Sequence, residues 1–305
     1  MSSPHRVTVR VPATTANLGP GFDCIGFALD IWNETTVELG PFAFEIAGEG
    51  ESTLPKDARN LVVTGVVTAF RAAGLTPPEF SYACRNAIPS GSGLGSSSAS
   101  IVTGLLAGAA FADHRLSTHD LLELAASIEG HPDNVAPAIL GGCQIGVRHE
   151  GKWFTDEVKL PPGLKAVIFL PERSAKGSTI ETRMALAPEV SRSDAVYNIG
   201  RAAMLVNALS TQNLDALRIA TEDRLHQPAR TALFPYLNRL IKAALDAGAH
   251  GAFLSGAGPA VLALATRREM TVAYEMTEAA RLFGLSGKTR VVEPSSKGGY
   301  VVKAE

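Results

Sequence analysis

The 305 residues, 46% hydrophobic and 19% charged, read as an ordinary soluble globular chain long enough for about two domains. Lys and Arg total 28 against 30 Asp and Glu, and a net charge of −2 argues against a dedicated nucleic-acid or membrane-surface role, leaving a small molecule as the expected partner. No apolar run approaches the ~18 residues of a membrane span. The opening Met1 to Arg6 carries no signal-peptide core, so a cytoplasmic location is expected. Cys24, Cys84 and Cys143 are an odd count without metal-ligand spacing and are expected to be small, reduced, partly buried side chains.

In chain order the pattern alternates strands and helices, the signature of an α/β protein. Val7, Val9 and Val11 alternate along a first strand, and residues 28–39 offer a second. Between them, residues 11–23 (Val-Pro-Ala-Thr-Thr-Ala-Asn-Leu-Gly-Pro-Gly-Phe-Asp) leave the strand for a Gly/Pro-rich loop holding Asn17 and Asp23, each of which has an ordinary alternative use as a turn former. A helix over 60–73 presents Val62, Val66, Ala69 and Phe70 on one face and ends at Gly74.

Residues 89–100 (Pro-Ser-Gly-Ser-Gly-Leu-Gly-Ser-Ser-Ser-Ala-Ser) set three glycines at alternate positions ahead of a block of hydroxyls. Glycines so spaced let backbone N–H groups converge on one point, and a following helix adds its positive end, so the stretch reads as a phosphate cradle with serine oxygens for magnesium. It has no Lys for a P-loop, and Ser96 stands where the dinucleotide fingerprint wants glycine. A flexible Gly/Ser linker is the alternative. Against it, Ile101, Leu105, Gly108 and Ala112 recur at helical spacing and tie the loop to a buried helix.

Ser117 and Asp120 have capping-box spacing ahead of Leu121, Leu124, Ala125 and Ile128. That helix ends in residues 129–134 (Glu-Gly-His-Pro-Asp-Asn), where Glu129 offers a hard anionic oxygen beside the serines; His131 as a core histidine and Asp133 with Asn134 as helix caps are the plainer readings. A short strand over 143–147 follows, then Pro161-Pro162-Gly163 marks a boundary. Beyond it come a strand over 166–170, helices over 194–209 and 235–247, strands over 252–254 and 261–265, a helix over 270–283 and an alternating tail from Arg290. Residues 254–260 (Leu-Ser-Gly-Ala-Gly-Pro-Ala) form a small-residue turn that either packs closely or makes room for substrate.

Taken together, the motifs at 11–23, 93–99, 129–137 and 255–259 resemble homoserine kinases of the GHMP kinase superfamily over nearly the whole chain. The resemblance implies a two-domain α/β (α+β) fold: an N-terminal ATP-binding domain over 1–160 with a left-handed βαβ unit, and a ferredoxin-like C-terminal domain over 161–305. It implies ATP, Mg2+, transfer of the γ-phosphoryl to the side-chain hydroxyl of L-homoserine on the way to L-threonine, and a homodimer.

By the family's pattern Asn60, Pro89, Ser90, Gly91, Ser92, Gly93, Leu94, Gly95, Ser96, Ser97 and Ser98 bind ATP, with a helix-cap role equally open for Asn60. Ser97 and Glu129 bind the metal. Only Gly130 separates Glu129 from His131, a spacing that varies in the family, so Glu123 is the alternative ligand. Asn17, Asp23, His131, Arg183, Arg230 and Gly256 bind the acceptor, the two arginines matching its carboxylate and Asp23 its ammonium. Asn134 orients the hydroxyl, and Asp133 competes as a base. A superfamily kinase for another alcohol, or a silent nucleotide-binding protein, are the alternatives.

Overall fold

A computed structural model describes residues 4–114, 116–172 and 179–305. β1 (Arg6–Asn17) and β2 (Gly21–Leu39) form a long antiparallel hairpin, with Val7, Val9, Val11 and Ala13 wholly buried. The motif at 11–23, expected to leave the strand for a loop, instead stays in this hairpin. Thr14 pairs with Ala28 and Thr15 with Phe27, and only Leu18, Gly19 and Pro20 lie between the strands. Register shifts after Pro12 and Ala16 absorb the proline and bend the ribbon.

β3 (Ala43–Gly48) and β4 (Phe80–Asn86) are parallel neighbours joined through α1 (Leu61–Ala72), which makes the βαβ unit. β4 also pairs with β2. α2 (Ser96–Phe111) is buried on nearly all sides and crosses α1 closely, where a Cβ on Gly104 would lie 2.1 Å from the Val62 carbonyl oxygen. α3 (Thr118–Glu129) opens with the Ser117/Asp120 capping box and ends at Gly130 in the left-handed region. That reversal leads directly into α4 (Pro132–Leu140), where His131 holds the N-cap position without a side-chain cap bond and Asp133 and Asn134 lie inside the first turn rather than capping it. β5 (Cys143–His149) and β6 (Lys152–Val158) extend the same sheet from β2.

The second half begins with β7 (Lys165–Pro171), then α5 (Thr179–Met184) and α6 (Arg192–Thr211), a 3-10 turn, α7 (Leu217–Ala220), α8 (Gln227–Arg230) and α9 (Leu237–Asp246). β8 (Gly251–Leu254), β9 (Val261–Ala265), α10 (Glu269–Leu282) and β10 (Gly287–Val292) follow. The strand order β10-β7-β9-β8, antiparallel throughout, is the ferredoxin-like arrangement. β11 (Tyr300–Ala304) leaves this half and pairs with β1, so the two sheets do not divide at a single cut between 160 and 161.

Both faces of the second sheet are covered. Ala166, Ile168 and Leu170 face the core shared with the first half, while Val167 and Phe169 face α9 and α10. This two-sided burial is why the strand reads as an unbroken apolar run. Cys84 and Cys143 are buried, and burial pushes the Cys143 thiol up to about 12. Cys24, expected to be partly buried, is exposed, because its neighbours in β2 turn it out of the sheet's packed face. No helix among the described residues is long and apolar enough to cross a membrane.

Candidate active site

A cleft of about 380 Å³ opens where the head of α2, the α3–α4 turn, the β1–β2 turn and the β8–β9 turn converge. Its middle is the glycine-serine loop. Gly91, Gly93 and Gly95 all take positive φ, a conformation glycine adopts without steric cost. At Gly95, the cap of α2, a Cβ would fall 1.9 Å from Thr14 Oγ1, so both conformation and space demand glycine. Among the described residues no side chain caps α2, and the first-turn N–H groups of a helix have no partners within it, which leaves them for an anion.

Ser90, Gly91, Gly93, Gly95, Ser96 and Ser97 line the cleft, but Pro89, Ser92, Leu94 and Ser98, also named from the sequence, do not. Leu94 belongs to the core. Ser98 is 0% exposed, its hydroxyl turned away from the cleft without a partner among the described residues. Ser92 is also buried and donates to the Pro89 carbonyl, so these two shape the loop from behind. Ser255 Oγ donates to the Gly93 carbonyl at 2.7 Å and Ala260 N donates to that of Ser92 at 3.0 Å. The turn over 254–260 therefore packs against the loop and clamps it.

Ser97 Oγ donates to Glu129 Oε1 at 2.8 Å, bringing together the two residues proposed for a cation. Glu123, the alternative, is engaged elsewhere: it accepts the N–H of Trp153 on β6. Asn60 lines the cleft beside Leu54, Pro55, Arg59 and Leu61, yet both its amide atoms are used. Its Oδ1 accepts from Val62 N at 3.0 Å, the helix cap, and its Nδ2 donates to the Pro55 carbonyl at 2.8 Å. It shapes the wall there by fixing Pro55.

From Gly95 a line of contacts runs to the far end of the cleft. Thr14 Oγ1 donates to Asn134 Oδ1 at 2.8 Å, Asn134 Nδ2 lies 3.4 Å from Asp133 Oδ1, and that oxygen is 2.5 Å from His131 Nδ1. Burial pulls the His131 imidazole down, but the hydrogen bond to Asp133 and the charges of Asp133, Asp23 and Glu129 outweigh it and raise its pKa. Asp23, His131 and Asp133 offer ligand atoms within 4.8 Å of one another. Asp23 receives a bidentate pair from Arg183, both contacts at 2.8 Å, which raises the pKa of that guanidinium.

Asn17 and Asp23 both sit at positive φ, a conformation costing roughly 1–2 kcal/mol that Asn and Asp tolerate better than most. Asn17 holds the bend: its Oδ1 accepts from Asp23 N at 3.0 Å and its Nδ2 donates to the Gly256 carbonyl at 2.9 Å. The same carbonyl accepts from Arg230 at 3.1 Å. Arg230 is 2% exposed, and burial, with Arg183 nearby, lowers its pKa to about 10. Phe22, Thr14 and Arg59 were not singled out from the sequence. Phe22 lies with its ring centroid 5.6 Å from the guanidinium carbons of both Arg183 and Arg230.

The order of sheets and the anion-holding loop define a two-domain kinase architecture, and comparison with known proteins agrees. Residues 60–142 match the family model for the GHMP kinases N terminal domain and residues 205–280 that for GHMP kinases C terminal. A homoserine kinase of Desulfitobacterium hafniense is 42% identical over 299 residues, 97% of this chain and 100% of that protein. The crystal structure of homoserine kinase from Cytophaga hutchinsonii superposes with a TM-score of 0.87 at 30% identity, covering 99% of both chains. L. major mevalonate kinase, at 15% identity and a TM-score of 0.69, shares the fold alone. The chain belongs to the GHMP kinases and, within them, to the homoserine kinase family.

Proposed function

We infer that the chain transfers the γ-phosphoryl of ATP to the side-chain hydroxyl of L-homoserine, giving O-phospho-L-homoserine and ADP on the way to L-threonine. The observation that carries this reading is the Arg183–Asp23 pair at the far end of a cleft that begins in a phosphate cradle. A zwitterionic amino acid exchanges that one ion pair for two: its carboxylate meets Arg183 and Arg230, its ammonium meets Asp23. An acceptor lacking either charge leaves one protein charge unanswered, which is how such a site selects.

Backbone N–H groups of residues 91–97 and the head of α2 hold the triphosphate. Two hard oxygens 2.8 Å apart at that head suit a magnesium ion, which Ser97 and Glu129 would hold and which would neutralise phosphate charge. Asn134, fixed through Oδ1 by Thr14, orients the acceptor hydroxyl toward the γ-phosphate. Asp133 is 2% exposed and already bonded to His131, so its role is to anchor His131 and Asn134 rather than to travel as a base. In a loose phosphoryl-transfer transition state little deprotonation of the nucleophile is needed early, and positioning carries the rate.

The test is ADP release with magnesium-ATP on L-homoserine, L-threonine, L-serine, mevalonate and galactose in parallel. Turnover on homoserine far above the others is expected. Preference for a sugar or a hydroxy acid without an ammonium would move the substrate, and ATP binding without turnover on any would remove the kinase reading.

A further inference from the structure

His226 precedes Arg230 by four residues across α8, is 0% exposed, and does not line the cleft. Its Nε2 lies 2.8 Å from the Gly19 carbonyl oxygen, which only accepts, so Nε2 carries the proton. Its Nδ1 lies 3.0 Å from Arg230 Nη1, which only donates, so Nδ1 is the bare nitrogen. A neutral ring protonated at Nε2 satisfies both contacts. Asp223 is 3.6 Å from Nε2, too far for a hydrogen bond, and its carboxylate is occupied by the N–H groups of Leu225, His226 and Gln227 and by Asn198 Nδ2.

The turn that supplies the Gly19 carbonyl is pressed onto the second half. Gly19 has φ +85°, and a Cβ there would fall 2.1 Å from the Thr221 carbonyl oxygen. Phe22, from the same hairpin, stacks on the His226 ring with centroids 5.2 Å apart. The charged groups around His226 are thus Asp223, Arg230 and, through the field, Asp23.

Arg183 is already matched by Asp23, whereas Arg230 has no carboxylate within 4.0 Å among the described residues. A carboxylate in place of His226 would hold Arg230 more tightly but would also neutralise it. A neutral imidazole fixes the guanidinium and leaves its charge for an incoming anion.

We propose that His226 is a positioning residue of the acceptor site, a neutral clamp that aims Arg230 at the substrate carboxylate and ties it to the β1–β2 turn. The identity of that carboxylate rests on the homoserine reading above.

The test compares three variants by steady-state kinetics with melting temperatures. In His226→Asn the amide oxygen replaces Nδ1, keeping the Arg230 contact and losing Gly19. In His226→Gln the amide nitrogen replaces Nε2, keeping Gly19 and losing Arg230. His226→Leu loses both. The homoserine KM is expected to rise about tenfold or more in the Gln and Leu variants and less than about threefold in Asn, with kcat and the ATP KM little changed. In an Arg230→Ala background, His226→Gln should add nothing further. Equal KM values for Asn and Gln, KM changes that track melting temperature, or additive losses in the double variant would overturn the clamp.

A second readout needs no substrate. Imidazole 15N spectra of the wild type should show His226 neutral and protonated at Nε2 between about pH 6 and 8, and a ring protonated at Nδ1 or titrating there would overturn it. Wild-type inactivity on homoserine would sink the functional reading while the spectra still judge the clamp.

Discussion

Ser97, at the head of α2, and Glu129, the last residue of α3, are 32 residues apart in sequence and joined by a hydrogen bond of 2.8 Å. Neither takes part in the packed core, so their meeting serves the cleft rather than the fold. Glu129→Gln keeps the size and the hydrogen bond but removes the anionic oxygen. We expect kcat/KM for magnesium-ATP to fall about a hundredfold or more, with melting temperature changed by only a few degrees. A variant that loses melting temperature in proportion to activity would show Glu129 to be structural.

Asp23 and Arg183 make a prediction about discrimination rather than overall rate. Removing the negative charge with Asp23→Asn leaves nothing to answer the substrate ammonium, while the carboxylate still finds two guanidinium groups. The preference for L-homoserine over 4-hydroxybutanoate, which lacks the amine, should shrink by about a hundredfold, mostly through loss on homoserine. Parallel kcat/KM measurements on the two acceptors decide it, and an unchanged ratio would take Asp23 out of the ammonium site.

Much of this site was legible from residue types and spacing. Glycines at 91, 93 and 95 announce a loop whose backbone can turn freely, and all three do take positive φ, while Ser117 with Asp120 announces the start of α3. What spacing does not give is the rotation of a helix as it leaves a loop. Among the serines from 96 to 100, packing of Ala99, Ile101 and Val102 into the core turns Ser97 and Ser100 to the cleft and Ser98 away from it. Likewise Thr14 acts through Asn134, 120 residues away, a contact no local pattern encodes. His226 did leave a signal in its four-residue spacing to Arg230, the spacing at which neighbouring turns of helix meet. Residues 11–23 read as an exit from the sheet because Gly19 and Pro20 make a tight turn straight into β2, while Pro12 sits at a register shift inside the hairpin.

Thr14 supplies a test of positioning in the chemical step. Thr14→Val preserves the buried shape and removes the donor to Asn134 Oδ1, freeing the amide to rotate. If Asn134 orients the acceptor hydroxyl, kcat should drop about tenfold or more while the KM values for both substrates stay within about threefold. Gly95→Ala should be worse on both counts, since its Cβ would collide with Thr14 Oγ1 at 1.9 Å and approach Asn134 Oδ1 at 3.2 Å from a φ of +67°. A Thr14→Val enzyme with wild-type kcat would leave Asn134 without its orienting role.

His226 also fixes a pH dependence of stability. Burial holds its imidazole below the ordinary value of 6.5, opposed by Asp223 and reinforced by Arg230. Above about pH 6.5 the ring is neutral in both folded and unfolded chains and contributes nothing to the slope. Below that value the unfolded chain takes up a proton that the folded chain refuses, so stability falls with acidification until the folded ring also titrates. The slope this one group adds is at most about 1.4 kcal/mol per pH unit. His226→Asn removes the titration, so its deficit in unfolding free energy relative to wild type should be largest near pH 7.5 and should narrow toward pH 5.5. Denaturant unfolding of both proteins across that range measures the gap directly. A gap that stays constant would mean the ring titrates alike in the folded and unfolded chains, and one that widens toward acid would mean the fold favours the protonated ring despite the Arg230 donor facing Nδ1.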